Sequence, residues 1–183
     1  MRYLPHRYDT IIVALTLTFV GFIPLFHSAE ADPLRWWPPH GGWQVGLMQS
    51  DVYSAMFCTM NNARTIQGKL QGDGLSTLKG QLNITSFDEK ADPQTNTALT
   101  VDIDGRLFGS FPVTGAAVNP NVLPMIMARI PGQQERALFS EIRDGKEMDV
   151  RASTFSHHFE LLGSDLAIKD FFDCQRVVAL HVP

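Results

Sequence analysis

The chain has 183 residues, of which 44% are apolar and 19% charged, so its composition is that of a globular protein and not of a disordered or fibrous one. Lysine and arginine total 15 against 19 for aspartate and glutamate, and the net charge of −4 offers no electrostatic footprint for binding phosphate backbones, so nucleic acid is not expected as a partner. The length suits one domain with a short additional segment.

The N-terminus has the pattern of a secretory signal peptide. Arg2 and Arg7 precede an apolar run over residues 11–26, and an A-x-A cleavage signature ends at Ala31. We therefore predict a signal peptide over 1–31 and export to the periplasm. The alternative is an uncleaved single-span anchor, although the apolar run is short for a bilayer.

The next segment, 32–42 (DPLRWWPPHGG), combines three prolines with two adjacent tryptophans and has no helical or strand period. We predict an extended arm that leads into the fold. Its large aromatic and rigid residues, Trp36, Trp37, Pro38 and Pro39, are candidates for partner binding, because tryptophan is enriched at the anchors of protein interfaces. The alternative is that they pack back on their own domain.

The rest of the chain, 43–183, is predicted to form a β-rich globular domain. Apolar and polar residues alternate over 43–50, which is typical of a half-buried strand. Two glycines in 71–74 predict a hairpin turn between two further strands. A second, clearer hairpin is predicted over 99–113, where alternation continues on both sides of an Asp-Gly pair.

Two helices are predicted in the second half of the chain. Residues 133–143 have helical spacing, and a second helix begins with Ser164 as its N-cap. The second helix places Phe172 and Cys174 on its apolar face, and residues 177–182 are interpreted as an edge strand. The order of elements predicts a mainly β fold, an antiparallel β-sandwich or partly open barrel with two short peripheral α-helices.

The chain contains two cysteines, Cys58 and Cys174. Exported proteins meet an oxidising environment, so an even cysteine count predicts a disulfide between them. Two buried free thiols are the alternative, because sequence alone does not show whether the two Cα atoms lie close enough.

Sequence motifs for catalysis, cofactors or metals are absent. The chain has no H-E-x-x-H, C-x-x-C, phosphate-loop or G-x-S-x-G pattern, and the acidic residues of 102–105 are interpreted as a hairpin turn and not a calcium loop. His157 and His158 are adjacent on a predicted strand and are expected to face opposite sides of it. A structural or solvated role is predicted for this pair, with metal binding or pH sensing as the alternative.

A set of landmarks runs from Arg136 to Cys174. It comprises Leu138 and Ile142, then Gly145-Lys146 with Met148 and Val150, then Phe159-Glu160-Leu161 leading into Leu162-Gly163-Ser164 and Ala167. In this order it resembles the C-terminal half of the invasion-associated locus B family of bacterial periplasmic proteins, and the opening Trp43-Gln44-Val45 strand is similar to that family's start. The resemblance implies a small exported β-sandwich of Gram-negative bacteria without an established catalytic centre.

These observations predict a non-enzymatic periplasmic domain that needs no cofactor. It would bind another envelope protein or a membrane complex, as an accessory subunit or an interaction module, and contact the membrane only through that partner or an uncleaved signal segment. The alternative is a periplasmic hydrolase or small-ligand carrier. Its site would be assembled from dispersed residues, with His157, His158 and Asp165 as contributors.

Overall fold

The computed structural model describes residues 32–50, 55–66, 69–77, 80–117 and 124–181, so the predicted signal peptide lies outside the described residues. The elements in chain order are β1 (Asp32–Trp36), β2 (Trp43–Ser50), β3 (Ala55–Ile66), β4 (Lys69–Ser76), β5 (Asn83–Phe87), β6 (Ala98–Ile103), β7 (Arg106–Ala117), β8 (Met125–Arg129), α1 (Gly132–Asp144), β9 (Glu147–Arg151), β10 (Ser156–Glu160) and α2 (Ser164–His181).

All ten strands form one antiparallel sheet in the order β1-β2-β3-β4-β5-β8-β7-β6-β9-β10. The sheet has two halves joined by β7, which pairs with β6 up to Pro112 and with β8 from Val113 onward. A β-bulge lies just beyond this point, and bulges bend a strand. The sheet is not closed. One antiparallel sheet with two helices confirms the prediction of a mainly β fold, a sandwich or open barrel with two helices.

The core lies on the inner face of this sheet. Trp43, Val45 and Leu47 are buried on that face, as the alternation over 43–50 predicts. The large side chains that are almost completely buried come from both halves of the sheet and from both helices: Trp43, Phe159, Phe171, Met60, Leu75, Ile84, Leu99, Ile103, Ile126, Ile130, Leu138 and Ile142.

The helix α2 is the longer of the two helices. It has 18 residues, and it packs against β2 and β3 and against α1. The structure places the sulfurs of Cys58 in β3 and Cys174 in α2 at bonding distance, with the Cα atoms 6.0 Å apart, as the even cysteine count predicts. The disulfide therefore fixes α2 across the inner face of the first half of the sheet.

The second predicted hairpin is confirmed. The strands β6 and β7 meet at Asp104 and Gly105, whose φ angles of 50° and 70° are those of a tight hairpin turn. The neighbouring Asp102 pairs with Arg151, and Asp104 accepts hydrogen bonds from the backbone N–H groups of Lys146 and Glu147. These contacts account for the acidic residues of 102–105, of which only the hairpin turn was predicted.

The prediction of a hairpin turn at 71–74 is wrong. Residues 72–74 lie inside β4, which pairs with β3 from Ile66 opposite Lys69 up to Thr59 opposite Ser76. A Cβ atom added at Gly74 would overlap the backbone of Met60 in β3. This glycine is thus explained by the close approach of two strands and not by a turn.

The predicted edge strand at 177–182 is also wrong for the residues described, because α2 continues to His181. Val177 and Val178 pack against the core from the helix, so tertiary contacts override the β preference of valine. The helix begins at Ser164 as predicted, but the Ser164 hydroxyl donates to the carbonyl oxygen of Ile142 at 2.9 Å. This bond links α2 to α1.

Among the described residues, the helices are too short or too polar to cross a membrane.

Asp104 makes folding stability depend on pH. The hydrogen bond from the Lys146 N–H, then that from Glu147, holds the pKa of the Asp104 carboxyl below its usual 3.8. A carboxyl whose pKa is lower in the folded chain stabilises it above the unfolded-state pKa, and that stabilisation disappears as the pH falls through the folded-state pKa.

We therefore expect the melting temperature of the wild-type chain to fall more steeply than that of Asp104→Asn below roughly pH 4. Asparagine tolerates the positive φ at this position, so the turn itself is retained. Thermal unfolding of both proteins between acid and neutral pH measures the difference. If the melting temperatures of the two proteins fall in parallel as the pH is lowered, these hydrogen bonds do not lower the pKa of the Asp104 carboxyl.

Candidate functional site

The two adjacent histidines of β10 face opposite sides of the strand, as predicted. His157 points into the core and is 6% exposed, whereas the His158 side chain is 55% exposed and lies 2.9 Å from Asp149 on the neighbouring strand. The inward histidine is the one that meets other chemically active groups.

His157 lies between two carboxylates. Its Nδ1 is 2.6 Å from Oδ2 of Asp73, and its Nε2 is 2.9 Å from Oδ2 of Asp88. The hydroxyl oxygen of Ser86 is 3.0 Å from the same Nδ1. These four residues, Asp73, Ser86, Asp88 and His157, are called the His157 cluster below.

Three strands from distant parts of the chain position the cluster. Asp73 and Ser86 lie on the inner faces of the paired strands β4 and β5, and His157 reaches them from β10 at the far edge of the sheet. The second oxygen of Asp73 accepts the backbone N–H of Phe87 at 2.6 Å, and the ring of Phe155 stacks on His157 at 4.9 Å. The cluster therefore joins the two halves of the folded sheet through side chains.

The cluster contains the groups of a serine–histidine–carboxylate triad, but its arrangement does not suit nucleophilic catalysis. Both ring nitrogens of His157 are already engaged by carboxylates, Nδ1 by Asp73 and Nε2 by Asp88. Ser86 therefore shares Nδ1 with Asp73 and has no ring nitrogen of its own to take its proton. That serine is also 0% exposed, so a substrate does not reach it in this conformation. The cluster fits a structural role.

The residues proposed for a dispersed catalytic site do not come together. His157 faces the core, His158 faces outward on the same strand, and Asp165 is exposed in the first turn of α2. Asp73, Ser86 and Asp88 were not singled out from the sequence. Among the described residues, histidine, cysteine and carboxylate side chains do not gather into a group able to hold a metal ion.

The structure separates the four residues proposed for partner binding. The Trp37 side chain is buried at 8% exposure, and the Arg35 guanidinium lies 4.4 Å from the centre of its ring. Trp36 is 46% exposed, while Pro38 and Pro39 are exposed beyond the end of β1. The segment before Trp43 thus contains a strand of the sheet, and one of its two tryptophans belongs to the core.

Trp36 lies on the face of the sheet opposite the core and the helices. It stands opposite Gly46 in β2, and a Cβ atom at Gly46 would lie 2.5 Å from its ring, so the glycine makes room for the indole. Met48 and Phe57 are directly paired on the same face one row away. The strand registers extend this surface across the sheet. We call it the outer sheet face, and its large apolar side chains are Trp36, Met48, Phe57, Phe87, Met125 and Met127.

The outer sheet face has almost no charge. The other described side chains on it are small or neutral and polar: Gln44, Ala55, Thr59, Asn61, Ser76, Asn83 and Thr85. Of the side chains the structure describes in β1 to β5 and β8, Arg129 alone places a charge on this face. Sheets that face water usually carry charged residues, so this composition distinguishes the outer sheet face from an ordinary solvated surface.

Comparison with protein-family models, with curated proteins and with solved structures finds no match to this chain. The resemblance to the invasion-associated locus B family therefore stays a hypothesis.

Proposed function

We propose that this chain is an exported, non-enzymatic domain that binds another protein of the bacterial envelope through its outer sheet face. It would act as an accessory subunit or an interaction module of a larger complex. The observation that carries the proposal is the nearly uncharged outer sheet face, on which the half-exposed Trp36 lies beside the paired Met48 and Phe57.

The composition of this surface supports protein binding and not a purely solvated role. Tryptophan, phenylalanine and methionine are enriched in protein interfaces, and charged residues are depleted from their centres. Methionine side chains are flexible and adapt to a partner's surface. The helix α2 packs on the other face of the sheet, where Cys174 meets Cys58. On the outer sheet face Trp36, Met48 and Phe57 are partly exposed, whereas the small polar side chains of Thr59, Ser76 and Asn83 are buried.

Pairing of the partner with the free edge of β1 is less favoured. This strand carries Pro33, which lacks an N–H donor, and its register shifts at a β-bulge between Pro33 and Arg35. Proline and bulges on edge strands oppose the addition of a further strand. We therefore infer side-chain contact with the outer sheet face.

The proposed export is supported by the signal-like N-terminus and is compatible with the Cys58–Cys174 disulfide, since disulfides persist in the periplasm and are rare in the cytosol. The alternative function of a hydrolase is not supported by the His157 cluster, because the Ser86 side chain is fully buried.

We expect Trp36→Ala to weaken partner binding by about 30-fold or more, the effect of removing an interface anchor. The tagged chain is used to isolate its partner from the native envelope, and the purified pair is then titrated. Leu107→Ala is the control, because Leu107 is also a large exposed apolar residue, 66% exposed, and lies at the β6–β7 hairpin in the other half of the sheet. Its affinity should equal that of the wild type.

The thermal stability of both variants is measured alongside the titration. Trp36 is half-exposed, so its loss should destabilise the fold far less than the roughly 3–5 kcal/mol typical of a buried tryptophan. Equal affinities for wild type and Trp36→Ala would contradict the proposed function.

A further inference from the structure

A cleft lies between α1 and α2, separate from the outer sheet face and from the His157 cluster. Its volume is about 550 Å³, within the range of pockets that hold small molecules. Its lining residues are Gly132, Glu135, Arg136, Phe139, Ser140, Arg143, Ile168 and Phe172. We call it the helix cleft.

The floor of the helix cleft is apolar and aromatic. The Phe139 ring lies 5.0 Å from that of Phe172, and Ile168 closes the floor beside them. Phe172, predicted to face the core, is instead 43% exposed where the two helices meet. Aromatic surface that stays open to water in a concave site is the feature an apolar ligand body would cover.

The cations beside this floor differ in their partners. Arg143 is already neutralised by Asp144, whose two carboxylate oxygens accept from Nε at 2.8 Å and from an Nη at 2.9 Å. Arg136 is exposed and makes neither a hydrogen bond nor an ion pair with the residues that the structure describes. Its guanidinium lies one turn of α1 before Phe139 and Ser140, so it is available to a ligand.

The acidic residue of the lining sets a limit on the ligand's charge. Glu135 precedes Arg136 by one residue, and it would repel a ligand that carries several negative groups. One free guanidinium beside an aromatic floor is complementary to one carboxylate attached to an apolar chain.

We propose that the helix cleft binds an amphipathic monocarboxylate, of which a medium-chain fatty acid is the simplest form. The carboxylate pairs with Arg136, because the neighbouring Ser140 hydroxyl already donates to Asp144 and accepts from Arg143. The apolar chain lies on Phe139, Ile168 and Phe172. This binding site is independent of the proposed partner surface and uses none of its residues.

The proposal is tested by titrating the isotope-labelled exported chain with decanoate below its micelle concentration and following the backbone amide NMR signals. Decanol, with the same chain and no charge, and decyltrimethylammonium, with the opposite charge, are the comparison ligands. We expect saturable shifts centred on α1 and on the Ile168–Phe172 turn, and an affinity for decanoate about tenfold or more above that for decanol.

Arg136→Gln should remove this preference, so that decanoate and decanol bind equally. Arg129→Gln is the matched control, because Arg129 is exposed on the outer sheet face and its loss should leave the preference unchanged. Phe172→Ser should weaken both ligands alike. Absent or scattered shifts, equal affinities in the wild type, or an Arg136→Gln variant that keeps the preference would each overturn the proposal.

Discussion

Replacing both Cys58 and Cys174 by alanine should lower the free energy of unfolding by about 2–5 kcal/mol. The disulfide closes a loop with a sequence separation of 116 residues, and loops of that length restrict the unfolded chain strongly. Both cysteines are 0% exposed, so alanine is preferred to serine, which would bury a hydroxyl at each position. Urea unfolding followed by circular dichroism measures the loss.

The control for this experiment is the wild-type chain unfolded in the presence of a reductant. Its transition should move to the midpoint of the double variant, because the two then share an unconstrained unfolded state. Losses below about 1 kcal/mol in both would show that the bond contributes little to the stability of the fold.

Breaking the His157 cluster should be comparably severe. Removing one partner of a buried hydrogen-bonded pair leaves the other unsatisfied, which typically costs about 1–3 kcal/mol and more for a charged group, and we expect a loss of about 3 kcal/mol for Asp73→Ala. The Asp73 side chain is 2% exposed and also accepts the Phe87 N–H, so its removal leaves several groups unsatisfied.

A double-mutant cycle separates this interaction from the loss of packing. The variants are Asp73→Ala, His157→Ala and their combination, and buried contacts of this kind give interaction energies of up to about 3 kcal/mol. The matched control is the cycle on Asp149 and His158. These residues form an exposed pair, 2.9 Å apart, on the neighbouring strands β9 and β10. Exposed pairs contribute about 0.2–1 kcal/mol.

Asp73→Asn and His157→Gln replace the alanine variants if those fail to fold. Equal interaction energies for the buried and the exposed pair would contradict a role for the cluster in holding the two halves of the sheet together.

The sequence correctly predicted the turns and helices whose conformation depends on neighbouring residues in the chain. The Asp-Gly turn at 104–105 needs positive φ angles that few residues tolerate, and α1 is recognised by its spacing and stop, so both were found where the structure has them. Gly74 carries an equally strong turn signal, yet its cause is the backbone of another strand, and sequence does not show which strand that is.

The candidate sites were predictable only in part, for the same reason. Alternation correctly placed His157 and His158 on opposite sides of β10. The partners Ser86 and Asp88 precede His157 by 71 and 69 residues, and small polar residues on a strand do not indicate whether they face the core. Likewise, the adjacent pair Trp36 and Trp37 gave no sign of which ring is buried, because that depends on the pairing of β1 with β2.

Site-specific photo-crosslinking in the native envelope tests the proposed partner surface most directly. A photoreactive phenylalanine analogue is placed at Trp36, Phe57 or Met127 on the outer sheet face, and at the exposed control positions Leu107 and Leu180, which lie elsewhere on the fold. We expect adducts with one and the same partner at the three outer-face positions and none at the two controls. Adducts at the control positions would contradict binding through the outer sheet face. So would a lack of adducts at the three outer-face positions while the partner still co-purifies.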